Sequence, residues 1–175
     1  SEARGDPHTL YDAHVHRGLA LFHLRRGDEV LQEFRRAREL SPDRIEAPLL
    51  LGRLLDLSGR SSTALEVMEA APVEGRRSYR GLYYRAMSFY YQGNLEASEP
   101  LIREALGIRP RSSGAHALLG RIRSDRGEDE LAQESFGHCL NFDPNHYEGL
   151  FYLANLHYEQ GRTARAEKIY RRVIS

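Results

Sequence analysis

Apolar and small side chains along this chain fall at i, i+4 and i+7, the spacing that gathers them on one face of an α-helix. They also fall in register with one another. A small residue recurs at Gly18, Gly52, Ala86, Gly120 and Ala154, and seven residues later stand Arg25, Gly59, Gly93, Gly127 and Gly161. A further column is small in four units of five: Val30, Ala64, Ser98, Ala132 and Ala166. Next comes a large apolar position, at Phe34, Met68, Ile102, Phe136 and Tyr170, and then a generally small one at Ala37, Ala71, Ala105, Cys139 and Val173. Gly59, Gly93, Gly127 and Gly161 are spaced by 34, and Pro110 and Pro144 keep the same interval. A fixed period of this size marks a repeat architecture. The register divides the chain into an N-terminal extension, 1–10, and five units, 11–44, 45–78, 79–112, 113–146 and 147–175, with no insertion or deletion.

Each unit reads as two antiparallel helices joined by a tight turn at the glycine. Glycine suits the turn because it reaches positive φ without a Cβ clash. Small columns let the two backbones approach, and the large column fills the space left. The closing prolines, Pro42, Pro110 and Pro144, stop the second helix. The expected fold class is therefore all-α.

Three units depart from the pattern. Unit one has Arg25 at the turn and Gly27 two residues on, which predicts a slightly longer first helix. Unit two carries Pro72 within its second helix, which predicts a stop near Ala71, an irregular linker through "PVEGRRS" and a bend between units one–two and three–five. Unit three has Pro100 inside its second helix, where an interior proline costs about 3 kcal/mol, so a late start or a kink is expected there.

The stretches "YYRAMSFYYQGNLEASEPLIREALGIRP", "ALLGRIRSDRGEDELAQESFGHCLNFDP" and "FYLANLHYEQGRTARAEKIYRRV" carry the pattern best. It resembles the tetratricopeptide repeat family over nearly the whole chain. An RNA-reading pentatricopeptide array is the nearest rival, but its period is normally 35 residues and it lacks this glycine, alanine and proline set. The resemblance implies a right-handed superhelix of helix pairs, an α-α solenoid, whose first helices line a concave groove. Carrying the groove columns onto this chain gives Val15, Leu19, Phe22 and His23 in unit one and Leu49, Arg53, Asp56 and Leu57 in unit two. Units three and four contribute Tyr83, Met87, Tyr90 and Tyr91, then Ala117, Arg121, Ser124 and Asp125. Unit five contributes Phe151, Asn155, Tyr158 and Glu159. Aromatics, methionine and arginine are the types enriched at protein interfaces. Arg53 and Arg121 suit bidentate pairing with carboxylates. Some members of the family grip a terminal carboxylate with lysine and asparagine. Unit one has Val15 and Leu19 there and no lysine, whereas Asn155 matches the family's backbone-binding asparagine.

Composition narrows the function classes. The 25 basic and 25 acidic residues cancel, which disfavours a general nucleic-acid binder. No apolar run is long enough to span a membrane and no secretory pattern opens the chain, so a cytoplasmic setting is the default expectation. The single cysteine excludes an internal disulfide, and Cys139 falls in a small packing column. His14 and His16 are two apart and face different ways on a helix, and no phosphate loop, nucleophile elbow or zinc-protease motif is present. No metal, cofactor or catalytic residue is expected. The final helix presents Ile169, Tyr170, Val173 and Ile174 with no following helix, and the chain opens without methionine. We expect an excised segment, or an end covered by another molecule, self-association being one form of cover. The leading reading is a non-catalytic module that binds a protein or peptide partner. The alternative is an accessory domain of a larger enzyme or secretion machine.

Overall fold

The structure, a computed structural model, describes residues 6–174, which contain helices and no strand. Residues through Gln92 form one compact unit and those from Gly93 form another. The first holds α1 (Pro7–His23), α2 (Gly27–Leu40), α3 (Glu46–Leu57), α4 (Ser61–Glu69), α5 (Val73–Arg77) and α6 (Tyr79–Tyr91). The second holds α7 (Leu95–Ile108), α8 (Ser113–Asp125), α9 (Asp129–Phe142), α10 (Tyr147–Glu159) and α11 (Thr163–Ile174). The pairs α1/α2, α3/α4, α8/α9 and α10/α11 each pack as adjacent helices, as the periodicity predicts.

In α1/α2, α3/α4 and α8/α9 the close approach rests on one glycine facing one large residue. A Cβ on Gly18 would lie 2.7 Å from the Phe34 ring, and one on Gly120 would lie 2.6 Å from the Phe136 ring. A Cβ on Gly52 would overlap Met68. Phe34, Met68 and Phe136 are buried, so the first helix rests its bare backbone directly on them. The second helices bury the matching stripe. In α2 it is Val30, Glu33, Phe34 and Ala37, spaced three, four and seven apart. Glu33 belongs there because its charge is matched: His14 Nδ1 lies 2.7 Å away, Arg17 3.0 Å and Arg36 3.5 Å. A buried carboxylate without such partners would be strongly destabilising.

The ends of the helices follow local chemistry. Asp6, Ser78, Asn94 and Ser112 accept hydrogen bonds from backbone N–H groups in the first turns of α1, α6, α7 and α8. Pro42, Pro110 and Pro144 each stand two residues past the end of α2, α7 and α9. At the turns, Gly59, Gly93, Gly127 and Gly161 have φ between 71° and 76°.

Four sequence expectations need correction. The first helix of unit one does not run further toward its turn, since α1 stops at His23, two residues before Arg25. Arg25 itself adopts φ 58°, so an arginine takes the left-handed conformation that glycine supplies elsewhere. The segment after Pro72 is not irregular either. Pro72 caps α5, whose buried Gly75 sits against Ile45, and Ser78 Oγ donates to the Gly75 carbonyl at 2.6 Å. The division between compact units falls at 92–93, and α6 packs with α3, α4 and α5. Finally, α7 runs from Leu95 to Ile108 with Pro100 inside it, so the late start is absent. Pro100 is exposed, and only the bond to the Glu96 carbonyl, four residues back, lacks its N–H donor. The helix α1 begins at Pro7, so residues 7–10 belong to the first helix and not to an extension.

Two side-chain ties join successive repeats within the first unit. Buried Tyr11 on α1 accepts a hydrogen bond from the Ala47 N–H at 2.9 Å, with the Arg44 guanidinium 3.9 Å from its ring centre. Buried Asp56 on α3 accepts from Ser88 Oγ of α6 at 2.6 Å. Burial pushes the Asp56 carboxyl above its ordinary range, and the Ser88 and Ser61 hydroxyls and the Arg53 charge only partly oppose this. A carboxyl raised in the folded state stabilises fully at pH below its unfolded pKa and loses that contribution as pH rises through its folded pKa.

Two outcomes follow. Arg25→Gly relieves the left-handed strain and raises the unfolding free energy by about 1 kcal/mol in denaturant titration, whereas an unchanged midpoint would show no strain there. Asp56→Asn keeps the Ser88 bond without a buried charge. Its stability gain over wild type, read from melting temperatures, grows from acid toward neutral pH; a pH-independent difference contradicts the assignment.

Candidate functional site

The carried-over groove columns separate into two kinds once placed. Val15, Leu49, Asp56, Met87 and Ala117 are buried and hold helices together. Asp56 and Met87 therefore pack inside the first unit and do not present their side chains to a ligand. The remainder lie at the surface.

In the first unit the surface columns lie on α1, α3 and α6. Phe22 is half-buried against the core and meets the exposed His23 edge-on, with ring centres 6.0 Å apart. Arg53 is half-buried on α3, and Leu57 one turn further on is exposed. On α6, Tyr83 stacks on Tyr79 at 5.7 Å with 16° between the planes. Tyr90 meets Tyr91 edge-on at 5.9 Å, and Tyr91 is exposed. The sequence "YRGLYYRAMSFYY" thus becomes a helix whose tyrosines support one another. Pre-stacked rings lose little conformational freedom when a partner arrives.

The second unit repeats the device on α8 and α10. Phe151 stacks on Tyr147 at 6.3 Å with 3° between the planes, the same i, i+4 pairing as Tyr79 and Tyr83. Tyr152 stacks on Phe136, and the Arg121 guanidinium lies 4.5 Å from the Tyr152 ring centre. Asn155 Oδ1 accepts a hydrogen bond from the Tyr170 hydroxyl at 2.5 Å. Asp125, Tyr158 and Glu159 are exposed. Glu99 of α7 is buried between Arg126 and Arg103. Burial alone would raise its carboxyl; the bond and charge of Arg103, with Arg126 and Arg123, hold it below the ordinary range.

Sequence reasoning missed several partners: Tyr79, Tyr147 and Tyr152, which shape the aromatic surface, and Ser88, which holds Asp56. The first two were signalled by their i, i+4 spacing to Tyr83 and Phe151. Tyr170, expected at an uncovered end, faces α10 through Asn155 and Phe151. Ile169 and Val173 are half-buried, and Ile174 is 83% exposed.

The reactive side chains sit in inert settings. Cys139 is fully buried, and burial, with Asp143 and Glu148, pushes its thiol up to about 12. His116 is wedged against His138 and Phe142, with Nε2 2.9 Å from the Pro110 carbonyl. His157 is buried; burial, then Arg162 and Arg165, lowers its pKa. Among the described residues no group of three His, Cys, Asp or Glu is placed to hold a metal ion, and no helix is long and apolar enough to cross a membrane.

Two family models, each described as tetratricopeptide repeat, match residues 113–146 and 148–175. The tetratricopeptide repeat and J domain-containing co-chaperone DNJ1 of Fusarium oxysporum is 28% identical over 58% of this chain and 20% of its own length. The type IV pilus assembly protein PilF of Pseudomonas aeruginosa is 30% identical over 58% of this chain and 39% of its own length. The chain thus spans well under half of these curated relatives. The solved Pseudomonas aeruginosa PilF superposes with a TM-score of 0.83 at 20% identity, covering 96% of this chain and 77% of that one. YrrB, titled a TPR protein with an unusual peptide-binding site, superposes with a TM-score of 0.66 at 15% identity, covering 92% and 83%. With the 34-residue register, the glycine turns and the small-on-large helix pairs in place, the chain belongs to the tetratricopeptide repeat family.

Proposed function

We propose that this chain is a protein-binding module whose first-helix surfaces hold segments of a partner protein. In the first unit the contact surface is formed by Phe22, His23, Arg53, Tyr83, Tyr90 and Tyr91. In the second it is formed by Arg121, Asp125, Phe151, Asn155, Tyr158 and Glu159. The observation that carries this reading is the pair of pre-stacked aromatic helices, α6 and α10, on which Tyr91, Tyr147 and Tyr158 are exposed. Such rings supply apolar area with a hydrogen-bonding tip, and arginine beside them recognises carboxylates. The surface takes a side-chain-bearing segment rather than a small molecule, and the chain itself performs no chemistry.

A second reading places the module inside a larger machine. Its support is the share of the relatives that the chain spans, 20% of a co-chaperone and 39% of a pilus assembly protein. Both readings use the same surface and differ in what is attached to it.

The test is selection of binding peptides from a displayed library, followed by titration against Tyr90→Ala and Arg121→Ala. Truncation of an interface aromatic or arginine commonly costs 1–2 kcal/mol or more, so at least one variant is expected to lose about tenfold in affinity. Selected peptides that bind both variants as tightly as wild type would contradict the assignment.

A further inference from the structure

The face of α3 turned away from Arg53 and Asp56 borders a hollow of about 300 Å³ within the first unit. Its walls are Leu31 and Phe34 of α2, Pro48 and Leu51 of α3, and Val67 of α4. A neighbouring hollow of about 160 Å³ shares Leu31, Leu51 and Arg60 as walls and extends the apolar surface toward Phe22. The volume is at the bottom of the range for small-molecule sites and fits one or two inserted side chains better than a cofactor.

The rim is basic. Arg35 and Arg38 of α2 and Arg60 at the start of α4 line the larger hollow, against the single carboxylate of Glu66. Several other arginines of this unit are matched: Arg17 and Arg36 with Glu33, Arg26 with Glu29, Arg44 with Asp12, Arg76 and Arg85 with Glu69. Among the described residues Arg35, Arg38 and Arg60 are matched to no carboxylate, and all three are exposed. Three unmatched guanidinium groups around one apolar hollow repel each other, and incoming carboxylates relieve that repulsion.

We propose that this hollow is a second docking site, separate from the aromatic surface, for an acidic amphipathic helix of a partner protein. Its apolar side chains enter between α2 and α4, and its flanking Asp or Glu residues pair with Arg35, Arg38 and Arg60. The concave shape between helices suits an inserted side chain, whereas a flat membrane surface would meet only the rim.

The experiment uses the whole chain and a fluorescent designed peptide of about four helical turns, with Leu on one face and Glu flanking it. A counterpart carries Lys in place of Glu. By anisotropy, the Glu peptide is expected to bind about tenfold or more tightly than the Lys peptide, and to weaken steeply with salt. Arg35→Glu with Arg38→Glu is expected to weaken it about tenfold, and Arg35→Gln with Arg38→Gln by less, at unchanged circular dichroism and melting temperature. Tyr90→Ala is expected to leave it unchanged, which separates this site from the aromatic one. The proposal is overturned if the Glu peptide fails to bind at millimolar concentration or if both peptides bind alike. Folded charge-reversed protein that binds as wild type also overturns it, as does loss of binding in Tyr90→Ala. Vesicles of anionic phosphatidylglycerol that displace the peptide would assign the arginines to a lipid surface instead, and overturn it as well.

Discussion

Everything in this fold depends on how closely the two helices of a repeat can approach. At Gly18, Gly52 and Gly120 the first helix has no side chain, and Phe34, Met68 or Phe136 occupies the space a Cβ would fill. The large residue is then buried on all sides, which is where apolar area stabilises most. The left-handed turn seven residues later reverses the chain within a few positions and keeps this pairing in register. Arg25 shows that geometry, not residue identity, sets the requirement, because an arginine adopts the same φ where glycine is missing.

The small-on-large contact takes only one position of each first helix, and the rest of the helix surface is left to do other things. Part of it stitches repeats together, as Asp56 does with Ser88. Part remains at the surface, where Tyr79, Tyr83, Tyr147 and Phe151 stack along their own helices. Helix α3 shows the division most clearly. Arg53 and Asp56 stand on one side, and Pro48 and Leu51 on the other border the basic-rimmed hollow. A single helix thereby separates two surfaces of different chemistry, one tyrosine-rich and one apolar with an excess of arginine.

Periodicity made the architecture legible. The 34-residue glycine interval places the turns, and the small and large columns mark the helix contacts. What stayed hidden depends on neighbours that no period records. A column position cannot say whether a side chain points outward or is captured from the next repeat, so Asp56 and Met87 read as groove residues although both are buried. In the sequence, Pro72 and Pro100 signal only what proline breaks. Pro72 instead starts α5, and Pro100 stands early in α7 at the solvent surface, where the missing N–H leaves the helix continuous. The arginine-rimmed hollow is not legible in the sequence because its residues come from three helices and no local motif joins them.

The small-on-large contact is tested most directly by a double-mutant cycle on Gly120 and Phe136, with stability read from denaturant unfolding. Gly120→Ala is expected to cost about 1–3 kcal/mol, because the new methyl meets the ring. Paired with Phe136→Leu it is expected to cost clearly less than the sum of the two single changes, with a coupling of about 1 kcal/mol. Costs that add to within about 0.5 kcal/mol would show that the two positions do not sense each other, and would contradict the account of how the repeat packs.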